Sequence, residues 1–186
     1  MNRVSFSVLL LAATMFATGC SMVAPKYTAS LASVQKIKDS DATTVKIGTF
    51  LSTPSTDNEV SISLRGSSLA SPYGTYANYL AEALKEDFTF AGKLAADAQV
   101  EVTGTLQKND INIPAAGNGR GDVEARFVVT RSGTAKYDQV KTLHDEWDSS
   151  FVGAIAIPRA QQQYPLLVQK LLALLYADPA FFDALK

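Results

Sequence analysis

With a single cysteine, Cys20, the 186-residue chain forms no internal disulfide, and its fold must rest on packing. Its one histidine, His144, leaves no pair of imidazoles for a metal and a single candidate base for a nucleophilic serine. Charge of neither sign dominates: 17 Lys and Arg stand against 18 Asp and Glu, a formal net charge of −1. That balance excludes the clustered basic surface that nucleic-acid backbones require. A long apolar run is missing near the start as well. The stretch from Val8 to Phe16 falls well short of the about 20 apolar residues that a membrane-spanning helix needs.

What is present at the start has another meaning. Met1 to Arg3 give a short cationic opening, Val8 to Phe16 an apolar core, and Ala17, Thr18 and Gly19 a run of slim side chains before Cys20. That is the layout of a secretory signal. Ala17 to Cys20 resembles the bacterial lipoprotein signal, or lipobox, although leucine is more usual where Ala17 stands. The resemblance implies that the Cys20 sulfur receives a diacylglycerol, that cleavage falls between Gly19 and Cys20, and that the new amino terminus is acylated. A membrane partner then follows through the lipid on Cys20, because two or three acyl chains on one residue make release very slow. Ser21 replaces the aspartate that retains such lipoproteins in the inner membrane, which implies the outer membrane, facing the periplasm. An ordinary signal peptide that leaves a free thiol is the alternative.

The expected organisation is a signal peptide over 1–19, a lipidated N-terminus and tether over 20–44, and one α+β domain over 45–186. Residues 21–44 are polar and rich in small side chains, so they read as a tether. Alternatively, Tyr27, Leu31, Val34 and Ile37 dock on the domain as an extended arm.

Period two begins at Val45 and Ile47 and again at Val60, Ile62 and Leu64, with turn residues Pro54, Asp57 and Asn58 between them. These two strand candidates are placed to pair. The period then changes. Tyr76, Leu80, Ala83, Leu84, Asp87 and Phe88 recur at helical spacing, and Gly92 stands as a stop. Tyr73, Tyr76 and Tyr79 read as packing rather than as a binding stripe.

Three alternating stretches follow, with apolar faces Val100, Val102 and Leu106, then Val123, Ala125, Phe127 and Val129, then Leu143, Trp147 and Phe151. Ser132 and Gly133 join the last two as a hairpin, and Trp147 is expected to be buried against a helix. A second helix is expected from Pro165, with Leu167, Leu171 and Leu174 in one row and Val168, Leu172 and Leu175 widening it. Its breadth suits core packing better than a membrane surface. Asp178 and Pro179 cap a short terminal helix. The sum is an α+β sandwich, an antiparallel sheet with two main helices on one face. A chain beginning near Thr43 is accordingly expected to fold alone.

This element order resembles small outer-membrane lipoproteins of the YajG type and is similar to that of LptE, the lipoprotein partner in lipopolysaccharide assembly. The YajG resemblance implies no biochemical activity. The LptE resemblance implies lipid or lipopolysaccharide handling.

Catalytic and metal-binding signals are weak. His144 alternates outward with Glu146 and Asp148, opposite Leu143, Asp145 and Trp147, as a solvated strand face would. No Gly-x-Ser-x-Gly elbow is present. Adjacent carboxylates on a strand point to opposite faces and do not converge on an ion. The glycine-rich Ala115 to Glu124 lacks the lysine of a phosphate loop and reads as a strand connection. No catalytic, metal or cofactor site is therefore expected. A non-catalytic binding accessory with an envelope protein partner is the favoured function, and no small-molecule substrate is indicated.

Overall fold

The computed structural model describes residues 21–54 and 56–186, so Gly19, Cys20 and the expected signal peptide lie outside the described residues. The elements are β1 (Ser21–Val23), α1 (Leu31–Asp39), β2 (Val45–Ser52), β3 (Ser61–Leu64), β4 (Ser67–Ala70), α2 (Tyr76–Phe90), β5 (Val100–Asn112), β6 (Gly119–Arg131), β7 (Thr134–Trp147), α3 (Gly153–Tyr176) and α4 (Pro179–Ala184). The α+β class is as expected.

The three period-two stretches form the antiparallel meander β5-β6-β7, in which the turn at Ser132 and Gly133, both at positive φ, joins β6 to β7. Alternation buries Val123, Ala125, Phe127 and Val129 of β6 and leaves Arg120, Asp122, Glu124 and Arg126 on the other face. α2 covers β2 and β5, and α3 covers β6 and β7, on that one buried face. α1 adds a further layer against α2 and α3.

The sheet itself is mixed rather than wholly antiparallel. β2 does not pair with β3; it lies parallel to β5, giving the order β2-β5-β6-β7. β3 turns back through Arg65 and Gly66 onto β4, whose other edge takes β1 in parallel. Arg65 and Gly66 have φ of 49° and 84°, the left-handed pair that a two-residue hairpin requires. With β4 in place as its partner, β3 does not reach the outer edge of β2, where Val45 is instead bridged by Leu94.

For residues 21–44 the structure takes the docked arm and not the free tether. Tyr27 and Ile37 are buried, and the Ala24 amide donates to the Ala70 carbonyl at 2.8 Å. Gln161 and Gln169 of α3 donate to the carbonyls of Val23 and Thr28, both at 2.7 Å, and Tyr79 donates to that of Pro25 at 2.7 Å. Ser30 caps α1 through the Ser33 amide. Leu31, expected inside, is exposed.

α3 begins twelve residues before the expected Pro165, at Gly153, and contains both Pro158 and Pro165. Each interior proline removes one helical hydrogen bond at a cost of about 3 kcal/mol. Burial of Ala156, Ala160, Tyr164, Leu167, Leu171 and Leu175 along one stripe outweighs it. Leu174 falls outside that stripe and is exposed. β7 ends at Trp147, which leaves Phe151 in solvent instead of on the apolar strand face. Trp147 is half-buried and lies over Gly119, where a Cβ would meet its Nε1 at 2.5 Å.

Candidate functional site

A groove of about 730 Å³ lies between α1 and the α3–α4 junction. Ala32, Gln35 and Lys36 form one wall, and Tyr176, Phe182 and Lys186 the other. α1 supplies its wall because Ser30 starts the helix and Ile37 pins its opposite side into the core. α4 supplies the second because Asp178 accepts from the Ala180 amide at 3.0 Å and so turns the chain just after α3. Asp178 also receives Lys141 at 2.6 Å and Tyr137 at 2.9 Å, and these bonds hold its carboxyl below the ordinary range.

The floor of the groove is aromatic. Tyr176 and Phe182 supply it, their ring centroids 6.3 Å apart, and the fully buried Phe181 backs them at 6.0 and 5.6 Å. The rim is charged with both signs. Lys186 pairs with Asp183 at 2.8 Å and Gln35 donates to Asp39 at 2.7 Å, while Lys36 and Asp41 stand exposed.

Directly beneath this floor lies a group that sequence reasoning left unassigned. Asp87 of α2 is fully buried and accepts from the Tyr27 hydroxyl at 3.0 Å and from the Tyr176 hydroxyl at 2.9 Å. Burial raises its pKa from 3.8 to about 6, against the two hydroxyl bonds, which lower it; Glu86 raises it further. The Tyr27 and Tyr176 hydroxyls are in turn pushed up by burial and by the carboxylate. The carboxylate thus ties arm, α2 and α3 together at one point. A carboxyl on the apolar stripe of Leu80, Leu84 and Phe88 was the available signal.

Arg65 is the other unforeseen junction. Its guanidinium donates to the carbonyls of Ile113 at 2.7 Å, Phe151 at 2.9 Å and Ser150 at 3.0 Å, and also to that of Pro114. One fork therefore fastens the β3–β4 turn to two loops.

His144 stays on the solvated sheet face, as expected. Its Nδ1 lies 2.8 Å from Asp122 and its Nε2 3.6 Å from Glu146. The Asp122 bond raises the imidazole pKa, and Asp122 itself is lowered because His144 and Lys108 outweigh its partial burial. Asp145 points the other way and pairs with Lys170 of α3 at 2.5 Å, so the three neighbouring carboxylates do not converge. Tyr76 and Tyr79 of α2 are core, and Tyr73 in the turn before the helix is its rim; Tyr76 and Tyr79 pack on Tyr164 at 4.4 and 5.0 Å. No described helix is long and apolar enough to cross a membrane.

No protein-family model matches the sequence, and no curated protein matches it. Among solved structures, the chain is similar to a Xanthomonas campestris protein of family DUF330, at 12% identity and a TM-score of 0.52 over 84% of this chain and 95% of that one. A candidate lipoprotein from Caulobacter crescentus aligns at 11% identity and a TM-score of 0.48, over 82% of this chain and 96% of that one. A hypothetical protein from Chlamydia trachomatis aligns at 9% identity and 0.44, over 73% and 96%. At such identities the likeness concerns the fold alone.

Proposed function

We propose that the protein is a lipid-anchored accessory of the cell envelope, akin to YajG-type lipoproteins. It is held at the periplasmic face of the outer membrane through Cys20, and it binds a protein partner, without catalysis, in the groove between α1 and α4. The observation that carries the reading is the contrast between a filled interior and an open groove. Tyr164, Leu167, Leu171 and Phe127 between helices and sheet have no exposed surface, which leaves no room there for an acyl chain. The groove instead joins an aromatic floor to a rim of both charges, a chemistry suited to a peptide with mixed side chains. The lipobox-like Ala17 to Cys20 supports the anchor.

Cross-linking in intact envelopes tests this reading. A partner captured by the acylated chain should be lost with Lys36→Glu, a change on the exposed rim, and captured more weakly with Cys20→Ser, because tethering raises effective concentration. Capture indifferent to Lys36→Glu contradicts the groove. Lipopolysaccharide retained by the purified protein would replace partner binding with LptE-like lipid handling.

A further inference from the structure

We propose that the end of the domain carrying Phe151, Val152 and Ile155 seats in the surface of the bilayer that holds the lipid on Cys20. The inference rests on the anchored reading above and adds an orientation to it.

Three large apolar side chains within five residues stand in solvent here: Phe151 is 79% exposed, Val152 50% and Ile155 51%. Single exposed apolar residues are ordinary, but a contiguous set at one tip marks a contact surface. The chain outside the structure ends at the same tip. β1 starts at Ser21, one residue after Cys20, and Ser21 is paired with Ser68, close to the Arg65–Gly66 turn. Arg65 in turn donates to the carbonyls of Ser150 and Phe151. A second set of bonds gives the same direction. The Val23 carbonyl lies against Gln161 and the Thr28 carbonyl against Gln169, so moving back toward Ser21 moves toward the start of α3, where Ile155 is.

Because β1 is docked, Cys20 has no free spacer. One residue reaches about 3.5 Å, so an acylated Cys20 holds this tip at the membrane. The neighbouring loop, Pro114 to Asn118, is exposed and carries no charged side chain. Arg65 and Arg159 bring positive charge beside the patch, Arg159 donating to the Asp148 carbonyl at 2.7 Å. Apolar side chains flanked by cations are what an anionic bilayer surface accepts. The groove between α1 and α4 lies at the other end of α3, and so faces away from the membrane, toward the periplasm.

The test uses the full chain, exported and acylated, with Phe151→Cys or Phe90→Cys supplying a thiol for an environment-sensitive NBD label. Phe90 is also exposed, at 61%, but sits at the end of α2, just before Lys93, which donates to the carbonyls of Ser40 and Ala42 at the groove end of the domain. Both sites are on the surface, so neither change touches the core. On reconstitution into phosphatidylethanolamine–phosphatidylglycerol vesicles, the label at 151 should shift to the blue and brighten several-fold while that at 90 stays water-like. Mass spectrometry of the same samples reads the acyl groups on Cys20. An acylated chain whose label at 151 stays water-like, or whose label at 90 responds equally, overturns the orientation alone. A chain with an unmodified Cys20 overturns the anchor and the orientation together.

Discussion

Asp87 concentrates the electrostatic cost of the fold in one side chain. Its pKa near 6, against 3.8 for an ordinary carboxyl, means that the folded state keeps a proton which the unfolded chain has released across that interval. Stability linked to this group is therefore greatest below about pH 4, falls as pH rises through about 6, and is reduced by about 3 kcal/mol above that. Asp87→Asn keeps the shape and removes the charge. Relative to the parent, the variant should gain about 3 kcal/mol of stability as pH rises from about 4 to above 6, on top of a constant offset from the exchange of a carboxyl for an amide. Urea midpoints against pH give the comparison; the lowered carboxyls of Asp122, Asp138 and Asp178 are common to both proteins and cancel. A difference independent of pH would place the cost elsewhere. Arg65 acts at the same scale in the opposite sense. Arg65→Ala should speed amide exchange at 113–119 and 148–152 and cost about 1 to 3 kcal/mol. Unchanged exchange in those loops would show that the fork is dispensable. Neither residue was assignable beforehand: helical spacing placed Asp87 on the buried stripe but not beside two hydroxyls from distant segments, and the carbonyls around Arg65 come from loops that spacing does not bring together.

Among the elements, β5 and β6 were legible because alternation runs through each of their thirteen residues, whereas β7 alternates only near Leu143 and Trp147, so its end was misplaced at Phe151. β2 was legible as a strand but not in its pairing, since a parallel partner more than forty residues away leaves no turn signal between them. α3 was legible only from Pro165 onward, because proline chemistry argues for a helix start and tertiary burial overrode it. The join of β2 to β5 carries its own signature. Gly104 lies under the Phe50 ring, which meets Phe127 edge-on at 6.2 Å, and a Cβ at Gly104 would lie 2.3 Å from that ring. Gly104→Ala should therefore destabilise by about 1 to 3 kcal/mol, and Phe50→Leu should recover part of the loss in a double-mutant cycle. Additive effects would mean that the ring moves aside freely.

For the whole molecule, the docked arm changes what counts as the folding unit. A chain beginning at Thr43 loses β1, α1 and the Tyr27 hydroxyl on Asp87, and it uncovers the surface beneath Tyr27 and Ile37. It should show a much lower denaturation midpoint, whereas a chain beginning at Ser21 should fold without any lipid. Equal midpoints would mean that the arm is ornamental. The arm was illegible as such because its short strand and single helix depend on partners at Ala70, Asp87 and Gln161, while its own composition is that of a linker. The groove was illegible for a related reason: its two walls come from the first and last helices of the described chain. The lipobox-like stretch before Ser21, by contrast, was read from residue types and order alone, and the proposed location of the protein rests on it. The most direct test is the mass of the mature amino terminus isolated from Gram-negative cells. The expected species is a chain that begins at Cys20 and carries a diacylglyceryl group and an amide-linked acyl chain. A chain that begins elsewhere, or at Cys20 with a free thiol, would contradict the anchor.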